Sequence, residues 1–342
     1  MKKILITGGS GFIGTNFINY ILKKNIKILN IDKLSSESTP EKFKNKINKK
    51  KYKFFNLDLQ NLTKLKKIIF NFKPDVIVNF AAESHVDRSI DKPYNFIKNN
   101  FTLSLNLFSI YKEYFKKYNF TKFIHISTDE VFGSNKSTLS NENSPYKPSS
   151  PYSSSKAATD LVALSFNETY KTNITIVNLC NNYGPFQFLE KFIPTCIFRL
   201  TNNKTVPIYG KGTNIREWIY VDDTCEAILK LIKNKSKNNR FNIGSNKRLD
   251  NFGIATKIFH ILKTKNKTNL NLKNFFKHVK DRPGHDFRYA LNSTLFNNEF
   301  NYKVKNNIDL GLLKTVNWYL NNTNWAKFMK NKYTGKRLGL ND

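Results

Sequence analysis

Short, nearly continuous apolar runs recur through the first half of the chain, at Lys3–Thr7, Ile26–Ile31, Lys53–Leu57, Asp75–Phe80, Lys122–Ser127 and Ile174–Leu179. Runs of this kind bounded by turn residues are strands buried on both faces, and most are separated from the next by enough chain for a crossover. Between the first two, Phe17, Ile18, Ile21 and Leu22 recur at helical spacing, which predicts a helix opening just after Gly14. Alternation of strand and helix predicts an α/β fold, a doubly wound parallel sheet covered on both faces.

The order loosens after about residue 180. "NNYGPFQFLEKFIP" and "VPIYGKGTNIREWIYVDD" mix Gly, Pro and aromatics with charges, after which Asp222–Ile232 reads as a helix and "FNIG" as a short strand. The predicted organisation is one large unit over 1–180, with returning segments near 217–244, and a smaller interleaved C-terminal lobe over 181–216 and 245–330. The Lys/Asn-rich stretches Lys42–Lys53 and Lys233–Arg240 read as solvated connections, and no internal repeat is present.

With 342 residues, 39% of them apolar, the chain can bury a full core. The formal charge of +32 on its own points to a nucleic-acid binder. Its make-up points elsewhere: 49 lysines against eight arginines, scattered among Asn, Ile and Phe, fit compositional drift better than a phosphate-tracking surface, so no nucleic acid is expected as a partner. A positive field still favours an anionic small substrate. Cys180, Cys196 and Cys225 lack the spacing of a zinc site or disulfide framework, and no metal is expected. No apolar stretch approaches the roughly 18 residues of a membrane span. A cytoplasmic protein without a membrane partner is the expectation.

The first strand runs into "TGGSGFIG", placing Gly8, Gly11 and Gly14 before a helix. Glycine serves where backbone turns tightly against a pyrophosphate, and the helix N-terminus offers that anion free N–H groups. Asp32 ends the second strand, where a carboxylate receives the adenosine ribose hydroxyls and disfavours a ribose phosphate, so the cofactor predicted is NAD. Asp58, closing the third strand, is either a partner for the adenine edge or a plain strand-end turn.

"PYSSSKAATD" sets Tyr152 four residues before Lys156, on one face of a helix. Lowering a tyrosine from about 10 to neutrality takes about 4 kcal/mol of preferential phenolate stabilisation. A nearby ammonium and a nicotinamide charge are suited to supply it. The glycine motif followed by Tyr-x-x-x-Lys resembles the extended short-chain dehydrogenase/reductase superfamily. "AAESHVDRSI", "STDEVFG", "SPYSSSKAATD", "NNYGPFQFLEKFIP", "PIYGKGTNIREWIYVDD" and "DRPGHDFRYA" resemble, more narrowly, the dTDP-glucose 4,6-dehydratases. The likeness spans nearly the whole chain and implies a Rossmann-type dinucleotide-binding unit with a substrate-binding lobe.

The resemblance implies oxidation of the hexose at C4, loss of water across C5 and C6, and return of the hydride from NAD to C6. Two carboxyl groups in different protonation states can act as base and acid in such an elimination. By resemblance Glu130 is the base at C5, Asp129 the acid at C6, and Thr128 a hydrogen-bond partner of the C4 oxygen beside Tyr152. The NAD cleft it implies adds Phe12, Ile13, Lys33, Leu59, Phe80, Ala81 and Ala82 to the glycines, with Ser84, Asn99 and Asn182. Substrate contacts fall on Ser84, Thr128, Asp129, Glu130, Asn181, Glu190, Lys191, Arg216, Asn251, Arg282 and His285. Lys191, Arg216 and Arg282 are the right types for a diphosphate. His85 is as suited to a structural hydrogen bond as to chemistry, and His125 reads as packed.

The chain departs from the family where Ser35, Ser36 and Glu37 follow "DKL", where Asn99 replaces threonine, and where Phe132 replaces tyrosine. The leading expectation is conversion of dTDP-glucose to the 4-keto-6-deoxy sugar, supplying deoxysugars such as rhamnose. Alternatives are UDP- or CDP-glucose as substrate, since one methyl is worth only about 0.8 kcal/mol, a 4-epimerase on the same fold, or a basic nucleotide- or RNA-binding protein. The family also implies a homodimer built from two helices per subunit, with the Phe101, Leu105, Phe108 stripe of Asn95–Tyr118 a candidate for one.

Overall fold

A computed structural model describes residues 2–41 and 50–332, so residues 42–49 of the expected Lys42–Lys53 connection lie outside the described residues. Strands β1 (Lys2–Thr7), β2 (Ile26–Asp32), β3 (Tyr52–Asn56), β4 (Val76–Asn79), β5 (Lys122–Thr128) and β6 (Ile174–Leu179) lie within a residue or two of the apolar runs. With β10 (Arg240–Ile243) they form a seven-stranded sheet in the order β10-β6-β5-β4-β1-β2-β3. Every pairing in it is parallel.

Both faces are covered, as continuous apolar runs require. Ile4 and Ile6 of β1 point to a core shared with α1 (Phe12–Ile21) and α7 (Val221–Lys233). Leu5 points to the opposite core, built with α2 (Leu62–Phe72), α4 (Pro93–Lys117) and α5 (Pro151–Tyr170). Because β1 lies between β2 and β4, the connections leave it in opposite directions, and a crevice opens beyond the carboxyl ends of these strands.

The smaller lobe carries a third core and two small sheets. One joins β7 (Asn181–Tyr183), β9 (Ile215–Tyr220) and β11 (Arg248–Asp250); the other joins β8 (Val206–Tyr209) to β12 (Phe276–Val279). Helices α6 (Phe192–Thr201), α8 (Asn251–Thr264), α10 (Ile308–Asn321) and α11 (Thr323–Lys330) pack around them. Of the segment 217–244, α7 covers the large sheet and β10 extends it, whereas Glu217–Tyr220 stay in β9 of the small sheet. The short helix α9 (Thr294–Glu299) packs beside β10. Arg240, expected at the end of a solvated connection, is half-buried and lies over the Tyr146 ring at 4.5 Å.

Helix α1 opens earlier than its apolar spacing predicts. Gly11 takes the cap position, and Gly14 sits in the first turn rather than ahead of it. A Cβ on Gly14 would meet Gly8 O at 2.5 Å and Gly9 Cα at 2.6 Å, so helix and loop interlock through bare backbone. Helix α5 starts where Ser150 and Ser153 form a reciprocal capping box and Pro151 occupies the first turn. That start puts Tyr152 at the helix N-terminus and Lys156 one turn inside.

Gly14→Val is expected to destabilise the fold by about 1–3 kcal/mol, the usual cost of overpacking against atoms that cannot move aside. Urea denaturation measures it; an unchanged midpoint would mean that the loop yields freely.

Candidate active site

A cavity of about 560 Å³ runs along the carboxyl edge of the large sheet. At one end it is lined by Gly8, Gly11, Phe12, Ile13 and Gly14. No side chain caps the start of α1 and no acidic residue occupies its first turn, so the opening N–H groups are free for an anion. Gly8, at φ +69°, lies so near the segment that follows β4 that a Cβ would meet Ala81 N at 2.5 Å. Asp32 lines the cavity and also pins the loop: its carboxylate accepts from Ser10 N–H at 2.9 Å and Leu34 N–H at 2.8 Å.

Lys33, Asp58, Leu59, Phe80, Ala81, Ala82, Ser84 and Asn182 line the same space. Lys33 and Asp58 face each other across 3.8 Å, both well exposed. Asn182 is held by the Thr224 hydroxyl at 2.5 Å and donates to Cys180 O. Asn99 does not line the cavity; its amide donates to Glu83, which does. A glycine cradle at a bare helix N-terminus, followed by a carboxylate ending the second strand, fits a dinucleotide.

Thr128, Tyr152, Lys156 and Glu130 line the other end. The Tyr152 ring meets Phe96 edge-on, and Lys156 donates to Ile126 O at 2.8 Å. Burial draws the lysine down to about 8, with Asp160 opposing. The expectation that a neighbouring ammonium brings Tyr152 down is not met by the chain's own charges. Burial and then Glu130 hold the phenol well above its ordinary value, and the Thr128 hydroxyl opposes them. His125, read as packed, is instead hydrogen-bonded in a buried network with Asn79 and Thr159 beside Lys156.

Asp129 and Glu130 open a single 3-10 turn, Asp129–Phe132, at the end of β5, with Thr128 Oγ1 accepting from Glu130 N–H. They are neighbours in sequence but not in environment. Asp129 is 3% exposed, lies behind the cavity lining, and has one carboxyl oxygen with no hydrogen-bond partner. Burial, Glu130 and Glu217 push its carboxyl well above the usual range. Glu130 is also raised by burial, but Arg282, Arg216 and Lys191 counter it. Both carboxyls are therefore raised, Asp129 with other carboxylates adding to burial and Glu130 with three cations opposing it.

The three cations are tethered around Glu130. Arg282 donates to Asp87 at 2.6 Å, and Lys191 to Ser84 O at 2.7 Å. Arg216 is bound to the carbonyls of Ile215 and Asp286 and lies 4.4 Å from the centre of the Tyr289 ring. Asn181 and Lys191 line the cavity, whereas Glu190, Arg216, Asn251, Arg282 and His285 do not. Glu190 is engaged by both bonds of Arg88 at 2.8 Å and faces His85 at 3.3 Å. Asn251 sits at the start of α8, just after β11, which pairs with the strand of Arg216. Burial with Arg282 and Arg216 draws His285 down to about 4, and burial with Lys191, Arg88 and Arg282 draws His85 to about 2.

Sequence reasoning missed Arg88, Tyr289 and Glu37. Arg88 joins Glu190 to Glu37, the latter at 3.2 Å, and both Arg88 and Glu37 line the cavity. Arg88 and Tyr289 stand inside the quoted motifs, so their residue types were the available signal; nothing local marks Glu37 as a partner of Arg88. Among the described residues no cluster suited to a metal ion is present, and no helix is long and apolar enough to cross a membrane.

Residues 5–315 match the family described as GDP-mannose 4,6 dehydratase. The chain is 38% identical to a probable dTDP-glucose 4,6-dehydratase of Sinorhizobium fredii, over 99% of each chain. Among solved structures it resembles dTDP-glucose 4,6-dehydratase from Bacillus anthracis in complex with NAD, at 36% identity and a TM-score of 0.86, covering 96% of this chain and 100% of that one. It resembles the dTDP-glucose 4,6-dehydratase of Streptomyces venezuelae with NAD bound at 32% identity and a TM-score of 0.87, covering 94% and 98%.

The raised Asp129 makes a stability prediction with a definite sign. The folded chain holds a proton that the unfolded chain releases near pH 4, so Asp129 costs stability increasingly as pH rises from there through its higher folded-state value. Asp129→Asn should therefore melt at a higher temperature than the parent at neutral pH, with a gap that widens from pH 5 upward. A gap independent of pH in calorimetry would show that Asp129 ionises normally.

Proposed function

We propose a function from one premise: the chain belongs to the GDP-mannose 4,6 dehydratase family and, within it, to the dTDP-glucose 4,6-dehydratases. It is an NAD-dependent hydro-lyase that converts dTDP-glucose to dTDP-4-keto-6-deoxyglucose. The observation that carries the reading is the unequal Asp129–Glu130 pair beside Tyr152 and Lys156 at the end of a dinucleotide-shaped cleft. NAD, when bound against the glycine loop, would take a hydride from C4 and give it back at C6 as C5 regains a proton, and would bring a positive nicotinamide near Tyr152.

Tyr152 takes the proton of the C4 hydroxyl, with Thr128 sharing the oxygen. The Lys156 ammonium favours the phenolate, which burial and Glu130 otherwise oppose. A carbonyl at C4 makes the C5 hydrogen acidic, and Glu130 removes that proton. Asp129, the better proton holder, protonates the C6 hydroxyl so that it leaves as water. Lys191 and Asn181 line the cavity and are the direct partners for diphosphate and sugar, while Arg216 and Arg282, outside the lining, add positive charge beside Glu130. Product and substrate differ by one water, with no net change in oxidation state.

We also infer a cytoplasmic homodimer built on α4 and α5. Tyr94 and Ile97 on α4 and Leu161 on α5 are exposed at 72%, 40% and 56%, on helices packed against each other. The stripe predicted from sequence does not serve, because Phe108 is buried in its own subunit. Leu161→Arg is expected to convert the dimer to a monomer in sedimentation at micromolar concentration; a parent protein that already sediments as a monomer removes the inference.

Incubation of the protein with dTDP-glucose, with and without added NAD, is expected to give a nucleotide sugar one water lighter and bearing a new keto group by mass spectrometry. An unchanged mass with a new C4 epimer would overturn the dehydratase reading. Glu130→Gln and Asp129→Asn should each lower turnover about 10²- to 10⁴-fold while NAD stays with the protein. Near-normal turnover in both would remove the pair from the chemistry.

A further inference from the structure

Beneath Lys156 lies a second carboxylate that the dehydration does not use. Asp160 is one helical turn further along α5 and wholly buried. Its Oδ2 accepts from Ser127 Oγ at 2.6 Å, from Tyr146 hydroxyl at 2.9 Å and from Asn178 Nδ2 at 3.3 Å. Burial raises the Asp160 carboxyl, and Lys156, two of these donors and Arg240 oppose it in favour of the anion. The other oxygen, Oδ1, makes no hydrogen bond and stands 3.5 Å from Nε2 of His125, which in turn stands 3.5 Å from Lys156 Nζ.

The network fixes which proton His125 carries. Ala81 N–H donates to Asn79 Oδ1, as does the Thr7 hydroxyl, so the amide must turn Nδ2 toward His125 Nδ1 at 3.1 Å. Nδ1 is then an acceptor and Nε2 bears the hydrogen, pointing at Thr159 Oγ1, 3.3 Å away, whose own hydrogen goes to Lys156 O. Burial and Lys156 keep the ring neutral. An Nε2–H cannot accept from an ammonium, so His125 is a neutral spacer and Asp160 holds the opposite charge.

We propose that Asp160 is a positioning residue for hydride transfer: its buried carboxylate, set across His125 from Lys156, is the fixed counter-charge that keeps Lys156 an ammonium beside Tyr152. The proposal rests on the dehydratase reading for its role in catalysis. The charged and titratable groups around the carboxylate are Lys156 and Tyr152 on its own helix, His125 on β5, Tyr146 in the preceding loop and Arg240 on β10.

The test follows the Lys156 side chain directly in NAD-loaded protein carrying ¹³Cε-lysine, its resonance identified by its absence in Lys156→Arg. Asp160→Asn is expected to lower the Lys156 titration midpoint by about one unit or more, and Asp160→Glu to restore part of it. Ser127→Ala with Tyr146→Phe keeps the carboxyl but removes two donors, and should move the midpoint the same way by less. A midpoint unmoved in folded Asp160→Asn, or in the double variant should Asp160→Asn not fold, overturns the proposal. Turnover of dTDP-glucose by the unaltered protein tests the parent reading separately.

Discussion

A sheet whose strands all run the same way brings every carboxyl end to one edge, so the polar side chains that finish those strands must satisfy one another. Here Thr7, Asn79 and His125, from the adjacent strands β1, β4 and β5, form one buried hydrogen-bonded row. Ser127 and Asn178, from β5 and β6, continue it onto Asp160. The row reaches the cavity at Ser127 and otherwise holds residues that line it. It connects Ala81, which packs against the glycine loop, to Lys156, so the part that cradles a dinucleotide and the part that moves protons share one rigid support.

The same burial that makes this support rigid sets the chemistry above it. Taking an ionisable group out of water favours its neutral form: carboxyls and phenols rise, amines fall. Tyr152, Asp129 and Glu130 are all raised and Lys156 is lowered, with burial the leading cause each time. What differs is the second cause. Asp129 faces other carboxylates, whereas Glu130 faces three cations, and this difference gives two adjacent residues of nearly the same chemistry unequal proton affinities.

The large sheet was legible because its signal is local and repeated. Each strand is a dense apolar run, and Ile174–Leu179 matches its predicted range end for end. The smaller lobe was not, because strands such as Asn181–Tyr183 and Arg248–Asp250 are too short to show a period, and they pair with residues far along the chain. The site divides in the same way. Groups placed by motif and strand end, such as Gly8, Asp32, Thr128 and Tyr152, line the cleft. Spacing could not reveal that Asn99 stands behind Glu83, that His125 is a hydrogen-bonded spacer, or that Arg88 joins Glu37 to Glu190 across 153 positions of the chain. Those depend on side chains meeting in space.

The net charge of +32 is best understood through what the site does with a few of its cations. Most lysines are scattered and add only to a field that favours an anionic ligand. Arg282, Arg216 and Lys191 differ because each is already tethered, to Asp87, to backbone carbonyls and to Ser84 O, and so is held near Glu130 without a substrate present. All three oppose the burial that raises the Glu130 carboxyl. On the proposed reading a diphosphate would draw on the same positive charge, and Glu130 would then lose part of what lowers its proton affinity. Asp129 has only Arg216 and the Thr128 hydroxyl in its favour, and its carboxyl stays raised well above the usual range.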